Sequence, residues 1–300
     1  MGDPAPLTPA HRRRVVATIV DWYGTNARNL PWRRPEVTPW QVMISEFMLQ
    51  QTPVERVRQP WQSWVDRWPS PAALASATTA DAVRAWGRLG YPRRAIRLQQ
   101  AARMITAEHG GRVPDRREDL LRLPGVGAYT AAAILAFAYG RRQVVLDTNV
   151  RRVLARIAGG QAAAAAVPNV AETIRAEQFL PRDAGRAARW AVASMEFGAL
   201  VCTARSPNCA NCPVATLCRW RRAGSPSLAG DRRPGQRYAG TDRQCRGALL
   251  AVLRAHDGAV PMSDLQACWP DEAQRDRALA SLVADGLAVR LPGRNYALPA

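Results

Sequence analysis

The sequence predicts an all-α protein with a small α+β unit at its C-terminal end. Three observations carry this. From Thr8 to about Arg221, alanine, leucine and arginine dominate and strand-like alternation is absent. Breaks at Pro31, Pro69, Pro71, Gly90, Pro114, Pro124 and Gly140 cut that stretch into helices of about ten to fifteen residues. Beyond Gly240 the pattern changes: helices over Arg246–His256, Asp264–Trp269 and Asp271–Asp285, the last closed by Gly286. Two short strands follow, Leu287–Leu291 and Asn295–Leu298, around the Pro292-Gly293 turn.

Between the two parts, Ala223–Gly240 is rich in Pro, Gly, Ser and Arg and poor in large apolar residues. It reads as a linker. The expected organisation is therefore a helical domain over 8–221, a linker over 222–243, and a unit over 244–300. Three helices and a hairpin resemble a winged helix.

The formal net charge is +18 and the sequence pI about 11.2. Such an excess favours a polyanionic partner through phosphate neutralisation. A merely solvated basic surface explains part of it. All 42 basic side chains are arginine, and lysine is absent. A guanidinium stays protonated and cannot form a Schiff base. No apolar run of about 18 residues occurs, so no membrane span is expected. Met1–Arg14 has no apolar core with a cleavage site, so a cytoplasmic, nucleoid-associated protein is expected, acting as a monomer.

Cys202, Cys209, Cys212 and Cys218 follow the spacing C-x6-C-x2-C-x5-C. Four thiolates on one short loop suit a cubane [4Fe–4S] centre. A structural zinc site is the alternative, although the spacing is not that of paired C-x2-C units. Disulfides are disfavoured in a cytosolic chain. The loop resembles the cluster loop of glycosylases related to endonuclease III, which implies a [4Fe–4S] cofactor. Cys245 and Cys268 lie outside it and read as ordinary buried thiols.

Leu123-Pro-Gly-Val-Gly-Ala-Tyr-Thr130 lies between helical stretches. Gly125 and Gly127, flanking Val126, permit a tight turn whose N–H groups open a helix and form an anion site. The segment resembles the hairpin of the helix-hairpin-helix DNA glycosylases, which grips a DNA phosphate. That superfamily's order of hairpin, aspartate and cysteine loop is met by this hairpin, Asp147 and the loop. Strand-cleaving members carry lysine where this chain has Tyr129, so the resemblance implies a hydrolase that leaves the strand intact.

Ile44-Ser-Glu-Phe-Met-Leu-Gln-Gln-Thr-Pro-Val54, preceded by Pro31-Trp32-Arg33, resembles the MutY-type adenine DNA glycosylases. Gly90-Tyr91 and Met195-Glu-Phe-Gly-Ala-Leu200 agree with it. The resemblance implies excision of adenine opposite 8-oxoguanine or guanine in double-stranded DNA.

Cleaving an N-glycosidic bond requires a proton on the leaving base and relief of positive charge on the sugar; two carboxylates suffice. Glu46 sits in an apolar stretch where burial would hold its proton. It would protonate adenine, at N7 as the resemblance implies, and then activate water. Asp147, after Val144-Val-Leu146, would stabilise or capture the sugar cation, with Tyr129 and Asn149 orienting the groups. Taken alone, Glu46 reads as a helix-surface carboxylate and Asp147 as an N-cap.

The base must leave the stack before Glu46 can reach it. By the resemblance, Gln51 and Tyr91 fill the kink, although Tyr91 alone also reads as a core aromatic. Trp32, Arg33, Leu49, Thr52, Val54 and Glu196 match positions against substrate or DNA.

Two departures stand out. Many relatives carry a Nudix-like C-terminal domain that reads 8-oxoguanine, and this tail does not resemble one. It would add duplex binding through Arg243, Arg246, Arg290 and Arg294, or dock a protein. Thr148 also stands where many relatives have glycine. The other readings are a glycosylase for thymine or uracil opposite guanine, and a non-catalytic DNA-binding regulator. Pure binding requires neither Glu46 nor Asp147.

Overall fold

The computed structural model describes residues 7–226 and 238–300. Fifteen helices and one strand pair make up the described residues, in agreement with the expected helical class. None of these helices is long and apolar enough to cross a membrane. Most helix starts are set by short polar caps, as the sequence chemistry requires. Thr8, Ser70, Thr78, Asn169, Asp183, Thr241 and Asp271 each accept a backbone N–H from the first turn of the helix they open.

The described residues form two compact units. The first takes the chain up to Val42, then Asp115–Leu121, then Val126 to the end of the first described stretch. It holds α1 (Pro9–Asn26), a 3-10 turn at Pro31–Arg33, α8 (Ala128–Phe137), α9 (Thr148–Ile157), α10 (Val170–Phe179), α11 (Ala184–Leu200) and α12 (Arg219–Arg222). Its core joins Val15 and Ile19 of α1 to Val153 and Leu154 of α9 and Trp190 and Phe197 of α11. Trp22 meets Phe197 edge to face, centroids 5.3 Å apart.

The second unit takes Met43–Pro114, Arg122–Gly125 and the described residues from Tyr238 on. Helix α2 (Pro39–Leu49) runs into it, followed by α3 (Val54–Arg67), α4 (Pro71–Ala75), α5 (Thr79–Trp86) and α6 (Arg93–Glu108). The short α7 (Arg117–Arg122) leads into the Leu123–Gly127 turn. The tail adds α13 (Asp242–Ala255), α14 (Met262–Cys268), α15 (Glu272–Ala284), β1 (Val289–Leu291) and β2 (Asn295–Ala297). The strands are antiparallel, with Arg290 opposite Tyr296, and Val260 adds a bridge to Tyr296.

Two tail helices begin earlier than the sequence pattern suggests. Thr241 caps α13 at Gln244 N–H, which places the start at Asp242 instead of Arg246. Pro261 sets the start of α14 at Met262 instead of Asp264. Leu249, Leu253, Leu265, Leu279 and Leu282 build the tail's core, and Ala80 and Val83 of α5 belong to that same core. Cys245 is buried and Cys268 partly so.

Close approach of α9 and α11 depends on Gly198. A Cβ there would lie 2.7 Å from Asn149 Cβ and 3.0 Å from its carbonyl oxygen. Gly198→Ala is therefore expected to destabilise the protein by about 1–3 kcal/mol, read as a lower midpoint in urea unfolding. An unchanged midpoint would mean that the two helices are free to separate.

Candidate active site and iron–sulfur centre

Helix α2 is buried continuously from Val42 to Met48. Glu46 is 6% exposed among Met43, Ile44, Phe47 and Met48, so it is not a helix-surface carboxylate. Leu49 is partly buried, and beyond it the chain turns through Gln51 at φ 54°. Gln51 is exposed, whereas Val54 at the head of α3 is half-buried. Tyr91 is 53% exposed at φ 46°, which excludes the core-aromatic reading. A positive φ on two non-glycine residues costs energy and persists only where neighbours enforce it.

The enforcing group is Arg94 on α6, which the sequence did not single out. Its buried guanidinium donates to Phe47, Met48, Leu89 and Gly90 carbonyls at 2.8, 3.0, 3.5 and 2.9 Å, and to that of Gln50. It also donates to Thr52 Oγ1 at 3.0 Å. The Thr52 hydroxyl reaches Leu89 O at 3.4 Å, so this buried group is occupied within the protein. Arg94 thus ties the Gln51 turn to the Tyr91 turn. Burial lowers its pKa to about 10, leaving it charged at neutral pH.

The two hairpin glycines have different causes. Gly125 has φ 82°, and a Cβ there would meet Phe47 Cε1 at 2.7 Å and Arg97 Cβ at 3.0 Å. Gly127 has ordinary φ and open space around it. It caps α8 without a side chain, so no cap side chain occupies the first N–H groups of that helix. Val126 is buried beneath the turn. Tyr129 follows in the first turn of α8, half-buried against an alanine-lined core.

In the first unit, Asp147 caps α9, with Oδ1 accepting from Val150 N at 2.6 Å. Its Oδ2 accepts from Asn149 Nδ2 at 2.7 Å. Burial raises the Asp147 pKa; the Val150 and Asn149 donors and the Arg152 charge oppose that rise. Each oxygen has its own donor, and the group stays half-buried at the helix start. Arg152 Nη2 donates to Asn149 Oδ1 at 2.7 Å and to Gly198 O at 2.6 Å, while its Nε donates to Cys202 O at 2.8 Å. One chain of hydrogen bonds therefore runs from Asp147 through Asn149 and Arg152 to the cysteine loop.

Glu196 is fully buried. Arg28, another residue unmarked by motif, grips it through both oxygens at 2.7 and 2.8 Å, and Arg33 Nη2 adds a bond at 3.0 Å. Burial alone would raise this pKa, but the two arginines override it and hold it at about 2. Glu196 is thus an anion that fixes Arg33. Trp32 is buried beside it in the 3-10 turn. Nη1 of Arg33 is shielded from solvent and has no hydrogen-bond partner among the described residues.

The four cysteines line one cavity with Arg156, Ile157, Val201, Val214 and Trp220. Among the described residues, no three Cys, His, Asp or Glu side chains are grouped closely enough to share one metal ion. A zinc ion would draw its sulfurs to about 2.3 Å from a common point. A cubane spreads its four thiolates across a cube, and this wider cage suits it. Burial pushes the Cys212 thiol up to about 11, with repulsion from Cys202, Cys218 and Cys209 adding to it. A cationic centre would offset that cost for the Cys212 and Cys218 thiolates. Arg156, stacked 4.7 Å over Trp220, donates to Cys202 Sγ at 3.4 Å and to Thr203 O at 2.7 Å. The cage fits an iron–sulfur cluster, with these four cysteines as its ligands.

Known proteins agree with this geometry. The HhH-GPD superfamily base excision DNA repair protein profile matches residues 44–175, and the iron-sulfur binding domain of endonuclease III matches 202–218. An adenine DNA glycosylase of Mycobacterium tuberculosis is 50% identical over 99% of this chain and 97% of its own length. The chain belongs to the adenine DNA glycosylases of the HhH-GPD superfamily. A thymine-DNA glycosylase of Aeropyrum pernix is 33% identical over 70% of this chain and 93% of its own. A thermostable thymine-DNA glycosylase structure has a TM-score of 0.65 at 28% identity, covering 71% of this chain and 98% of that one. The match to the mycobacterial adenine glycosylase thus includes the tail, whereas the thymine enzymes match about seven-tenths of the chain.

The two hairpin glycines can be separated by stability. Gly125→Ala is expected to lower unfolding stability by about 1–3 kcal/mol, from strained φ and overlap with Phe47. Gly127→Ala should leave stability within about 0.5 kcal/mol and weaken duplex binding, measured by fluorescence anisotropy. Equal stability losses would refute the division of labour.

Proposed function

We propose that this adenine DNA glycosylase hydrolyses the N-glycosidic bond of adenine opposite 8-oxoguanine or guanine in duplex DNA, and leaves the strand uncut. The observation that carries the reading is Glu46, a carboxyl buried in the apolar Ile44–Met48 run of α2. Such a site favours the protonated acid. In the proposed reaction Glu46 gives its proton to adenine N7 as the C1′–N9 bond breaks, and the bonding pair leaves with the base. Asp147, ionised, stabilises the positive charge on the sugar. Water then bonds to C1′ and yields its proton to the Glu46 carboxylate. Adenine and an abasic site are the products. No lysine exists to attack C1′, and Tyr129 stands at the position after the hairpin.

The remaining placements support the same reading. Gln51 and Tyr91, exposed on turns locked by Arg94, fill the gap left by the flipped base. Arg33, fixed by Glu196, offers the free Nη1–H to an acceptor on the base. Trp32, Leu49 and Val54 supply apolar contact, and Tyr129 and Asn149 orient the reacting groups. The Gly125–Gly127 turn holds a phosphate at the start of α8. An arginine excess of this size makes affinity fall steeply with salt. Cys202, Cys209, Cys212 and Cys218 would hold the cluster, which would tie their loop into one rigid unit. Residues 8–221 act as the glycosylase domain; of the linker expected over 222–243, residues 227–237 lie outside the described residues, and Arg222 and Asp242 belong to α12 and α13.

The test is single-turnover excision from duplexes holding adenine opposite 8-oxoguanine, guanine or thymine, with G·T and G·U duplexes alongside. Adenine release from the first two, with strand scission appearing after alkali alone, is expected. Likeness to thymine-DNA glycosylases keeps a second reading specific: release of thymine or uracil alone would move the activity there. Glu46→Gln should slow release by at least about 100-fold with duplex affinity retained; full turnover would remove Glu46 from the mechanism.

Asp147 must be ionised, and burial has raised its pKa. The rate should therefore fall on the acid side at a pH above the ordinary aspartate range. Asn149 donates to the carboxylate and favours the charged form. Asn149→Ala removes that donor, raises the Asp147 pKa further, and should move the acid limb of the pH–rate profile to higher pH. An unmoved limb would separate Asp147 from the rate.

A further inference from the structure

Tyr91 ends a short turn, Gly87–Tyr91, between α5 and α6. Gly87, Gly90 and Tyr91 have φ of 53°, 82° and 46°. Each of the five carbonyls in this turn accepts from an arginine side chain. Arg254 Nη1 donates to Gly87 O at 2.6 Å, and Arg56 donates to Arg88 O. Arg94 takes Leu89, Gly90 and Tyr91 at 3.5, 2.9 and 3.4 Å. Arg56 and Arg94 belong to α3 and α6, but Arg254 belongs to α13, in the tail.

The tail reaches the turn from both ends. Upstream, Arg254 Nε also donates to Val83 O at 2.9 Å, so one guanidinium closes the last turn of α5 and opens the loop. Arg84 returns a bond to His256 O at 2.7 Å. Downstream, Arg93 pairs with Asp285 at 3.2 Å, and Arg246 holds Asp285 in place at 2.6 Å. Gly286 lies against Ile96.

The tail carries no net formal charge, and several of its arginines are taken up within the protein. From Asp242 to Ala300 seven arginines meet seven acidic residues, so the whole +18 lies upstream. Arg246 is bound to Ser281 and Asp285, Arg275 is buried against Trp269 and Pro270 carbonyls, and Arg254 is engaged as described.

We propose that the C-terminal unit is a positioning device for the kink-filling turn, with Arg254 and Asp285 as its two positioning residues. The proposal rests on the reading of this protein as a base-flipping adenine glycosylase. The tail holds Tyr91 in the left-handed conformation before DNA arrives, so part of the ordering needed to kink the duplex is already complete. Neither residue touches the reacting atoms.

The test compares two substrates in the full-length protein under single turnover: adenine paired opposite guanine, and an unpaired bulged adenine, which needs little help to leave the stack. Arg254→Met and Asp285→Asn should each slow release from the paired substrate roughly tenfold, the loss of a charge-assisted hydrogen bond. Release from the bulge should stay within about twofold of the unaltered protein. Thermal melts check folding, and Asp285→Asn carries the test if Arg254→Met does not melt cooperatively. Equal slowing on both substrates, or no slowing on either, would overturn the proposal. No adenine release by the unaltered protein from either substrate would instead overturn the adenine reading itself.

Discussion

Buried guanidinium groups bound to backbone carbonyls are the constraint on which the functional parts of this protein depend. A turn that carries an exposed side chain at positive φ leaves its carbonyls without sheet or helix partners. Water can satisfy them, but water leaves the turn mobile. Arg94 replaces water at six carbonyls and one hydroxyl. A lysine could not do this, because its ammonium is a point donor without a fork. The absence of lysine from the chain and the arginine-held turns are therefore compatible parts of one chemistry. Desolvation lowers the Arg94 pKa only to about 10, so the clamp keeps its charge over the working pH range.

The same device recurs in the first unit. Arg156 satisfies carbonyls of Ala162, Thr203 and Ala204 while placing an N–H against Cys202 sulfur. Arg152 binds Cys202 O and Gly198 O and reaches Asn149. The loop that holds the cluster is thereby in hydrogen-bonded continuity with the carboxylate that caps α9. Losing the cluster would free the Cys202 segment, and Arg152 would lose the partner that fixes its Nε. Asp147 would then keep its Val150 bond but its Asn149 donor would be less firmly held. This gives an iron–sulfur centre a mechanical consequence for the site without any electron transfer.

The sequence disclosed the residues that chemistry requires and concealed those that hold them. Glu46, the hairpin glycines and the four cysteines are legible because their identity and spacing are local. Burial of Glu46 was also legible, since it follows from the apolar run around it. Arg28, Arg94, Arg152, Arg156 and Arg254 were not. Their partners are carbonyls or a carboxylate far along the chain, and a carbonyl carries no side-chain signature. Among 42 arginines, these five look like the rest. Thr241 shows a milder loss: Thr-x-x-Gln is a recognisable helix start, but the apolar pattern of α13 begins later and drew the boundary to Arg246. The tail's attachment to α5 had no local signal either, because Ala80 and Val83 read as ordinary helix residues.

Two carboxylates in two environments suit the two roles a glycosidic cleavage demands. Glu46 lies buried in the largely apolar run of α2. Asp147 lies at a helix start with two N–H donors and a nearby guanidinium, all favouring the anion against the burial that opposes it. Glu196 marks the contrast: it is more buried than either, yet two arginines hold it fully ionised. Burial by itself therefore does not decide which carboxyl is the acid. What decides it is whether a cation or donor accompanies the group into the interior.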